Sequence, residues 1–460
     1  MPLTNAQNRD VQSVLHPYTN LVKFRETGPM IIERGKGVFV YDEHGKDYIE
    51  AMSGLWCAAL GWGETVLADV AAEQMKKLAF GHLFSGKSHE PAIALAEKLK
   101  EIAPFPVGKV FFANSGSEAN DSQIKLMWFV NNALGRPKKK KIISRTKAYH
   151  GVTIASASLT GLPGNHRGWD LPLDFAKFAD CPHFYRNAEP GESEEQYSQR
   201  LAANLEALIE REGADTIAAM IAEPLMGAGG VILPPKGYFA AIARVLAKHD
   251  IALIDDEVIT GFGRTANWFG CETYGFQPAT MTIAKALSSA YLPISAVLIS
   301  PEISEIVEQE SGKLGTFGHG FTYTGHPVSS AVALKTVELY QERDIVGHVR
   351  DVTPRFAKRI AKLAEHPLVG EAVSVGLIGA IELVADKKTK AGFDPAKAVA
   401  ATVFGFAQEE GVISRPLLGD RLAFCPPLII SEAEIDEMFD RFERGLNRGL
   451  EWVRKEGLVA

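Results

Sequence analysis

The residues best suited to chemistry lie in Ile251 to Thr265, IALIDDEVITGFGRT, and at Lys285 within the run Thr282 to Ser289. An apolar run that ends in Asp255, Asp256 and Glu257 and passes into glycines reads as a buried strand delivering carboxylates to a loop at its C-terminal end. Asp256 and Lys285 are 29 residues apart, room for one loop and a second short strand, Thr280 to Ala284, that brings amine beside carboxylate. Such a pair suits pyridoxal phosphate: a lysine forms a Schiff base with it, and an aspartate keeps the pyridine nitrogen protonated so that the ring accepts electrons. A surface ion pair has the same spacing, and spacing alone does not separate the two.

A second constellation follows the apolar strand Val110 to Ala113, in Asn114-Ser115-Gly116-Ser117-Glu118-Ala119-Asn120. Ser115 and Glu118 have the spacing of a capping box and predict a helix from here to about Asn132. A strand, a glycine between serines and a helix N-terminus make an anion site, because unpaired amides and the helix dipole face the same point. A phosphate fits there; an ordinary capped helix carries the same signature. Upstream, glycines interrupt the tryptophan-rich stretch Ser53 to Gly63, so Trp56 and Trp62 either line a pocket or pack a loop onto the core.

The elements that position these residues alternate strand and helix. Helical patterns at about 65–79 and 90–102 precede the strand at 110–113. Strands at 141–144, 216–222, 251–255, 280–284 and 295–299 follow, with a helix at 191–212 and another at 235–249, and 160–190 reads as irregular. This rhythm predicts an α/β fold with a large, doubly wound, mostly parallel sheet. The large domain is expected over 60–330. A hairpin over 37–42 and 46–50 lies in an N-terminal segment, 1–59, expected to join a smaller C-terminal α/β domain, 331–460. In that domain helices are expected at 346–365, 395–410 and 431–454, with a strand at 375–384 and strand edges near 412 and 422.

Composition narrows the function classes. The 460 residues are 46% hydrophobic, enough for sizeable cores, and 49 basic against 56 acidic residues leave a net charge of −7, which disfavours a nucleic-acid surface. The basic run Lys138 to Lys141 reads as a solvated turn. Four dispersed cysteines have neither disulfide-framework nor zinc spacing, so no metal is expected and a reduced, cytoplasmic setting is. The polar N-terminus has no apolar signal core, and no apolar run reaches the roughly 18 residues of a membrane span.

Taken together, these motifs resemble the class III aminotransferases, pyridoxal-phosphate enzymes of fold type I, and within them the amine:pyruvate or omega-transaminase group. The likeness runs from about Tyr18 to Trp452 with the motifs in family order. It implies that Lys285 is the Schiff-base lysine and the acid/base at the substrate α-carbon, and that Asp256 pairs with the pyridinium nitrogen. It further implies that Val258 and Tyr149 sandwich the ring, and that Gly116 and Ser117 hold the phosphate. Glu223 falls in the cofactor's hydrogen-bond shell, and Thr322 is similar to the threonine that reaches the phosphate from the partner subunit, which implies a homodimer with shared sites. Arg415 resembles the mobile arginine that binds a substrate carboxylate and swings away for an uncharged amine.

Two positions depart from the ornithine and 4-aminobutyrate branches of the family. Ala228 stands where those branches usually carry a glutamate that neutralises the arginine, and Ile259 where they often have glutamine. With Trp56, and Phe84 from the partner chain, the pocket is expected to favour bulky hydrophobic amines without a carboxylate. The expected activity is transfer of an amino group from such an amine to pyruvate, giving alanine and a ketone or aldehyde; β-alanine, taurine or polyamine:pyruvate transfer is the alternative. Asp256 and Lys285 would also serve decarboxylation or racemisation. A non-catalytic dimer that keeps the fold would have no need of the lysine.

Overall fold

A computed structural model describes residues 2–459. Its centre is a seven-stranded sheet in the order Lys109–Ala113, Ser295–Ile299, Thr280–Ile283, Ala252–Asp256, Ile217–Ala222, Lys141–Arg145, Ala176–Ala179. Ser295–Ile299 runs antiparallel to both neighbours, and the remaining pairings are parallel. Strands such as Ile217–Ala222 and Ser295–Ile299 are buried at every position because helices cover both faces, and that explains their unbroken apolar sequences. The protein has the mixed α/β architecture of fold type I, with Gly116–Ala133, Glu194–Glu212 and Tyr238–Lys248 among the helices on this sheet.

Two smaller four-stranded sheets involve the chain ends. In one, Ile32–Lys36, Phe39–Asp42 and Asp47–Glu50 form a meander whose last strand pairs in parallel with Val412–Ile413, a link across more than 360 residues. The other orders Val369–Val375, Ile378–Leu383, Arg421–Phe424 and Arg415–Leu417, all antiparallel. The amphipathic helix Glu432–Lys455 buries Ile435, Met438, Phe439, Phe442 and Leu446 and closes this region with Val399–Glu409.

Several elements differ from the sequence expectation. The single strand expected at 375–384 is the second half of a hairpin turning at Gly376, a residue with φ +53° packed against the backbone of Arg264 and Thr265. The segment 160–190 contains the edge strand Ala176–Ala179, whose short length hides its period. The helices Asn5–Ser13, Leu21–Thr27 and Pro301–Leu314 had no counterpart in that expectation. Among the described residues no helix is long and apolar enough to cross a membrane.

Candidate active site

The parallel strands aim their C-terminal ends at one place, where ligands enter open α/β sheets. Asp256 is in register with Thr282, so Lys285, three residues further along the neighbouring chain, emerges beside it. Ala222 is in register with Asp255, which sets Glu223 next to Asp256 on the other side. Tyr149 and His150 follow the strand Lys141–Arg145, and Ser115 caps the helix Gly116–Ala133 opposite them.

These ends enclose a cavity of about 390 Å³ whose lining includes Gly116, Ser117, Tyr149, Glu223, Asp256, Val258 and Lys285. Asp256 is 3% exposed. Its Oδ2 accepts from Asn120 Nδ2 at 2.8 Å and faces His150 Nδ1 at 2.7 Å, and its Oδ1 accepts from the amide of Val258 at 3.2 Å. Three donors around one buried carboxylate stabilise its anion, which can then face a cationic ring nitrogen. Glu223 is held differently: its two oxygens accept from the amides of Tyr149 (3.1 Å) and Gly227 (2.9 Å), Arg145 Nη2 clamps its carbonyl at 2.6 Å, and burial raises its pKa.

Lys285 has φ +51°, a left-handed conformation that costs a non-glycine residue about 1 kcal/mol or more and recurs at functional sites. Its amine has no ion pair or hydrogen bond within the described residues. Burial lowers its pKa, with Cys57, Asp256 and Glu223 opposing. An uncharged amine fraction is what nucleophilic attack on a carbonyl requires.

At the helix N-terminus Ser115 Oγ accepts from the amide of Glu118 at 3.2 Å. The expected reciprocal half of the box is shifted by one residue: Glu118 Oε2 accepts from Asn114 N and Nδ2 at 2.8 and 2.9 Å. The amides of Gly116 and Ser117, residues that line the cavity, donate to nothing among the described residues. A Cβ on Gly116 would sit 3.1 Å from a Val258 methyl, so the glycine keeps open a slot between helix and strand loop. An unpartnered amine, a triply held carboxylate, free helix amides and this slot fit the aldehyde, ring nitrogen and phosphate of pyridoxal phosphate.

The other expected residues stand apart from the cavity lining. Trp56 is 4% exposed and packs with Met52, Leu225, Val231 and Ile259, of which Ile259 does line the cavity. Ala228 is half-buried between Gly227, whose Cβ would meet Ile259 at 2.4 Å, and Gly229, whose Cβ would meet the Lys147 carbonyl at 2.2 Å. Arg415 is half-buried and its side chain makes no hydrogen bond or ion pair among the described residues, and burial lowers its pKa while Tyr149, Tyr18 and Glu50 oppose. Phe84 and Thr322 are exposed on another face, where Phe84 lies against Gly320 and Phe80 meets Tyr323 edge-on at 5.8 Å.

Sequence reasoning missed Asn120, His150 and Cys57, which also line the cavity. Asn120 had a readable signal, since it lies four residues, one helical turn, after Gly116 and therefore on the same face. His150 next to Tyr149 had none, because only the tertiary fold aims Nδ1 at Asp256.

The sequence pattern of "Aminotransferase class-III" matches residues 23–446. The chain is 47% identical over 96% of its length to gamma aminobutyrate transaminase 3, chloroplastic, of Solanum lycopersicum, covering 85% of that protein. It is 49% identical over 92% of its length to gamma-aminobutyrate transaminase 1, mitochondrial, of Oryza sativa subsp. indica, covering 82% of that protein. Among solved structures it is similar to the omega transaminase of Pseudomonas jessenii in complex with PMP, with TM-score 0.96 and 52% identity over 98% of this chain and 99% of that one. It is also similar to a transaminase solved with L-alanine, with TM-score 0.90 and 54% identity over 92% of this chain and all of the other. Matched over nearly its whole length in sequence and in structure, the chain belongs to the class III aminotransferases, transaminases of fold type I whose cofactor is pyridoxal phosphate.

Proposed function

We propose that this transaminase moves an amino group from a bulky or hydrophobic amine to pyruvate, giving a ketone or aldehyde and alanine. Pyridoxal phosphate, when bound, supplies an electron sink and carries nitrogen between the two half-reactions. Lys285 Nζ withdraws the proton from the substrate carbon that bears nitrogen, aided by the burial that lowers its pKa. Asp256, fixed by Asn120, His150 and the Val258 amide, would hold positive charge on the ring nitrogen. Gly116 and Ser117 would hold the phosphate with their free amides, and Tyr149 and Val258 would bracket the ring. Glu223 holds the loops of Tyr149 and Gly227 in place.

The observation that carries the substrate reading is Arg415: a half-buried guanidinium without an ion pair among the described residues suits the carboxylate of a small keto acid. The likeness to a transaminase solved with L-alanine supports pyruvate as its keto partner. A homodimer in which Phe84 and Thr322 of the partner subunit complete the cavity is supported by the exposure of both residues, neither of which lines its own protomer's cavity.

A second reading takes 4-aminobutyrate as the donor. The names of relatives at 47–49% identity favour it, and they weigh against the argument from Ala228. One experiment separates the two. The purified holoenzyme is mixed with excess 1-phenylethylamine, the visible absorbance of its cofactor is followed, and pyruvate is then added. Loss of absorbance and its return with pyruvate is the expected result. A response to 4-aminobutyrate but not to the arylalkyl amine would replace the first reading by the second; a response to neither, nor to alanine, would overturn both.

A further inference from the structure

Arg421, at the start of the strand Arg421–Phe424, is 1% exposed, a costly place for a charge. Glu371 is in register with Glu382, and Glu382 with Arg421, so three charged side chains stand in one row across adjacent antiparallel strands. Two glutamates directly opposite each other repel, and Arg421 Nη1 relieves this by donating to both, at 2.6 Å to Glu382. From the other side His183 Nε2 meets Glu371 at 3.0 Å, and Arg186 pairs with Glu382. Both belong to the segment after the edge strand Ala176–Ala179, so the row ties the all-antiparallel sheet to the central one.

A second donor of the same guanidinium has another target. Arg421 Nε donates to the carbonyl of Gly230 at 2.5 Å, and a Cβ on Gly230, whose φ is +134°, would meet Arg421 Cδ at 2.8 Å. Gly230 ends the turn Gly227–Gly230. Its amide and that of Val231 donate to the Gly227 carbonyl at 3.1 and 2.9 Å, and Met226 and Ile232 exchange two backbone bonds of 3.0 Å. The Gly227 amide goes to Glu223 Oε2 at 2.9 Å, and Glu223 Oε1 takes the amide of Tyr149 at 3.1 Å. Hydrogen bonds and one tight turn thus run from Arg421 to Tyr149 through Gly230, Gly227 and Glu223, all three buried. The turn has no slack to absorb a shift, because a Cβ on Gly227 would collide with Ile259 and one on Gly229 with the Lys147 carbonyl. Tyr149, Glu223 and Ile259 line the cavity; Arg421 does not.

We infer that Arg421 is a positioning residue of this transaminase: its bond to Gly230 sets the turn Gly227–Gly230 and, through Glu223, the backbone of Tyr149 on the cavity wall. The glutamate row holds the planar guanidinium in one orientation, so its Nε points at one carbonyl. An apolar side chain of the same volume could replace a buried ion pair, but it would leave the Gly230 carbonyl without this donor. The consequence for the reaction rests on reading Tyr149 as a bracket of the cofactor ring; the link from Arg421 to Tyr149 stands on the protein's own contacts.

The test is Arg421→Lys, which keeps a cation for Glu371 and Glu382 but has a methylene in the place of Nε. Amide hydrogen exchange, read by mass spectrometry, should quicken roughly 3- to 10-fold at Gly227 and Tyr149, the loss of one net hydrogen bond, with the strand Ile217–Ala222 unchanged. The visible circular dichroism of the bound cofactor should lose intensity in the same variant. Glu382→Gln, which keeps Arg421 Nε on Gly230, should lower the thermal midpoint without either effect. Exchange at Gly227 and Tyr149 within about twofold of wild type overturns the inference. So does quickening that extends equally to Ile217–Ala222, or that Glu382→Gln reproduces, since either would make Arg421 a contributor to stability alone. Quickened exchange with an unchanged cofactor signal sustains the link from Arg421 and sinks only the place given to Tyr149 beside the ring. If Arg421→Lys does not fold, Gly230→Ala pushes the turn off the guanidinium with the glutamate row intact. It must then quicken the Tyr149 amide, and an effect confined to residues 229–231 overturns the inference.

Discussion

Replacing Asn120 by alanine probes the support of the pyridinium-facing carboxylate without touching the cavity's reactive amine. Asn120 is 1% exposed, and its Nδ2 donates both to Asp256 Oδ2 (2.8 Å) and to the His150 carbonyl (2.7 Å). A hydrogen bond to a charged group contributes about 1.5–3 kcal/mol and one to a neutral carbonyl about 1 kcal/mol. Against this, Asn120 Oδ1 is buried without a partner, and removing such an orphan returns about 1 kcal/mol. The net loss of stability is therefore about 2 kcal/mol, and the part felt by Asp256 weakens its hold on a cationic ring. At about 1.4 kcal/mol per decade, the dissociation constant of pyridoxal phosphate should rise roughly 10- to 100-fold. Spectrophotometric titration of the apoprotein with the cofactor measures this directly, alongside thermal unfolding. Cofactor affinity within twofold of wild type would refute the reasoning, for it would mean that His150 and the Val258 amide suffice to hold the carboxylate.

Lys285→Ala should abolish transamination and the visible absorbance that survives gel filtration of the holoenzyme, while a lysine that only pairs electrostatically with Asp256 would leave the colour. Gly116→Ala places a methyl 3.1–3.2 Å from both Val258 methyls, so cofactor affinity should fall by about 1–3 kcal/mol with little change in the thermal midpoint of the apoprotein. Arg421 is fully buried and bridges Glu371 and Glu382 at 2.6 Å to the latter, so Arg421→Met leaves Glu371 with His183 and Glu382 with Arg186 as their remaining partners and should cost about 2–3 kcal/mol at pH 7. Although burial opposes it, the His183 hydrogen bond and the Arg421 charge hold the Glu371 carboxyl down at about 2. Because the folded value is depressed, this stabilisation is present above about 4.5 and is lost as pH falls towards 2, so the gap in thermal midpoint between wild type and Arg421→Met should narrow over that window.

Much of the fold was legible because its strands are short apolar runs bounded by turn residues, and its helices carry caps: Ser115, Ser193 and Ser431 all accept from the expected backbone amide. The places that misled were those where local pattern carries no information. An edge strand at 176–179 is too short to show a period, and the first arm of the hairpin at Gly376 is hidden because Gly370, Glu371 and Ser374 interrupt its apolar run. Trp56 packs in one cluster with Ile259, which lines the cavity, and its φ of +65° is a backbone state that sequence does not advertise.

By itself the sequence determined which groups could do the chemistry: a lysine and an aspartate at the ends of two apolar runs, and a glycine between serines at a helix start. Those are covalent and local facts, written in residue type and short spacing. The tertiary structure decided what surrounds them. It turned Asn120 and His150 onto Asp256, left the Lys285 amine without a partner, and paired the strand Asp47–Glu50 with Val412–Ile413. The contacts onto Asp256 and the strand pairing each span 100 residues or more, and they exist only because burying two apolar surfaces together is worth more than the chain entropy lost in joining them.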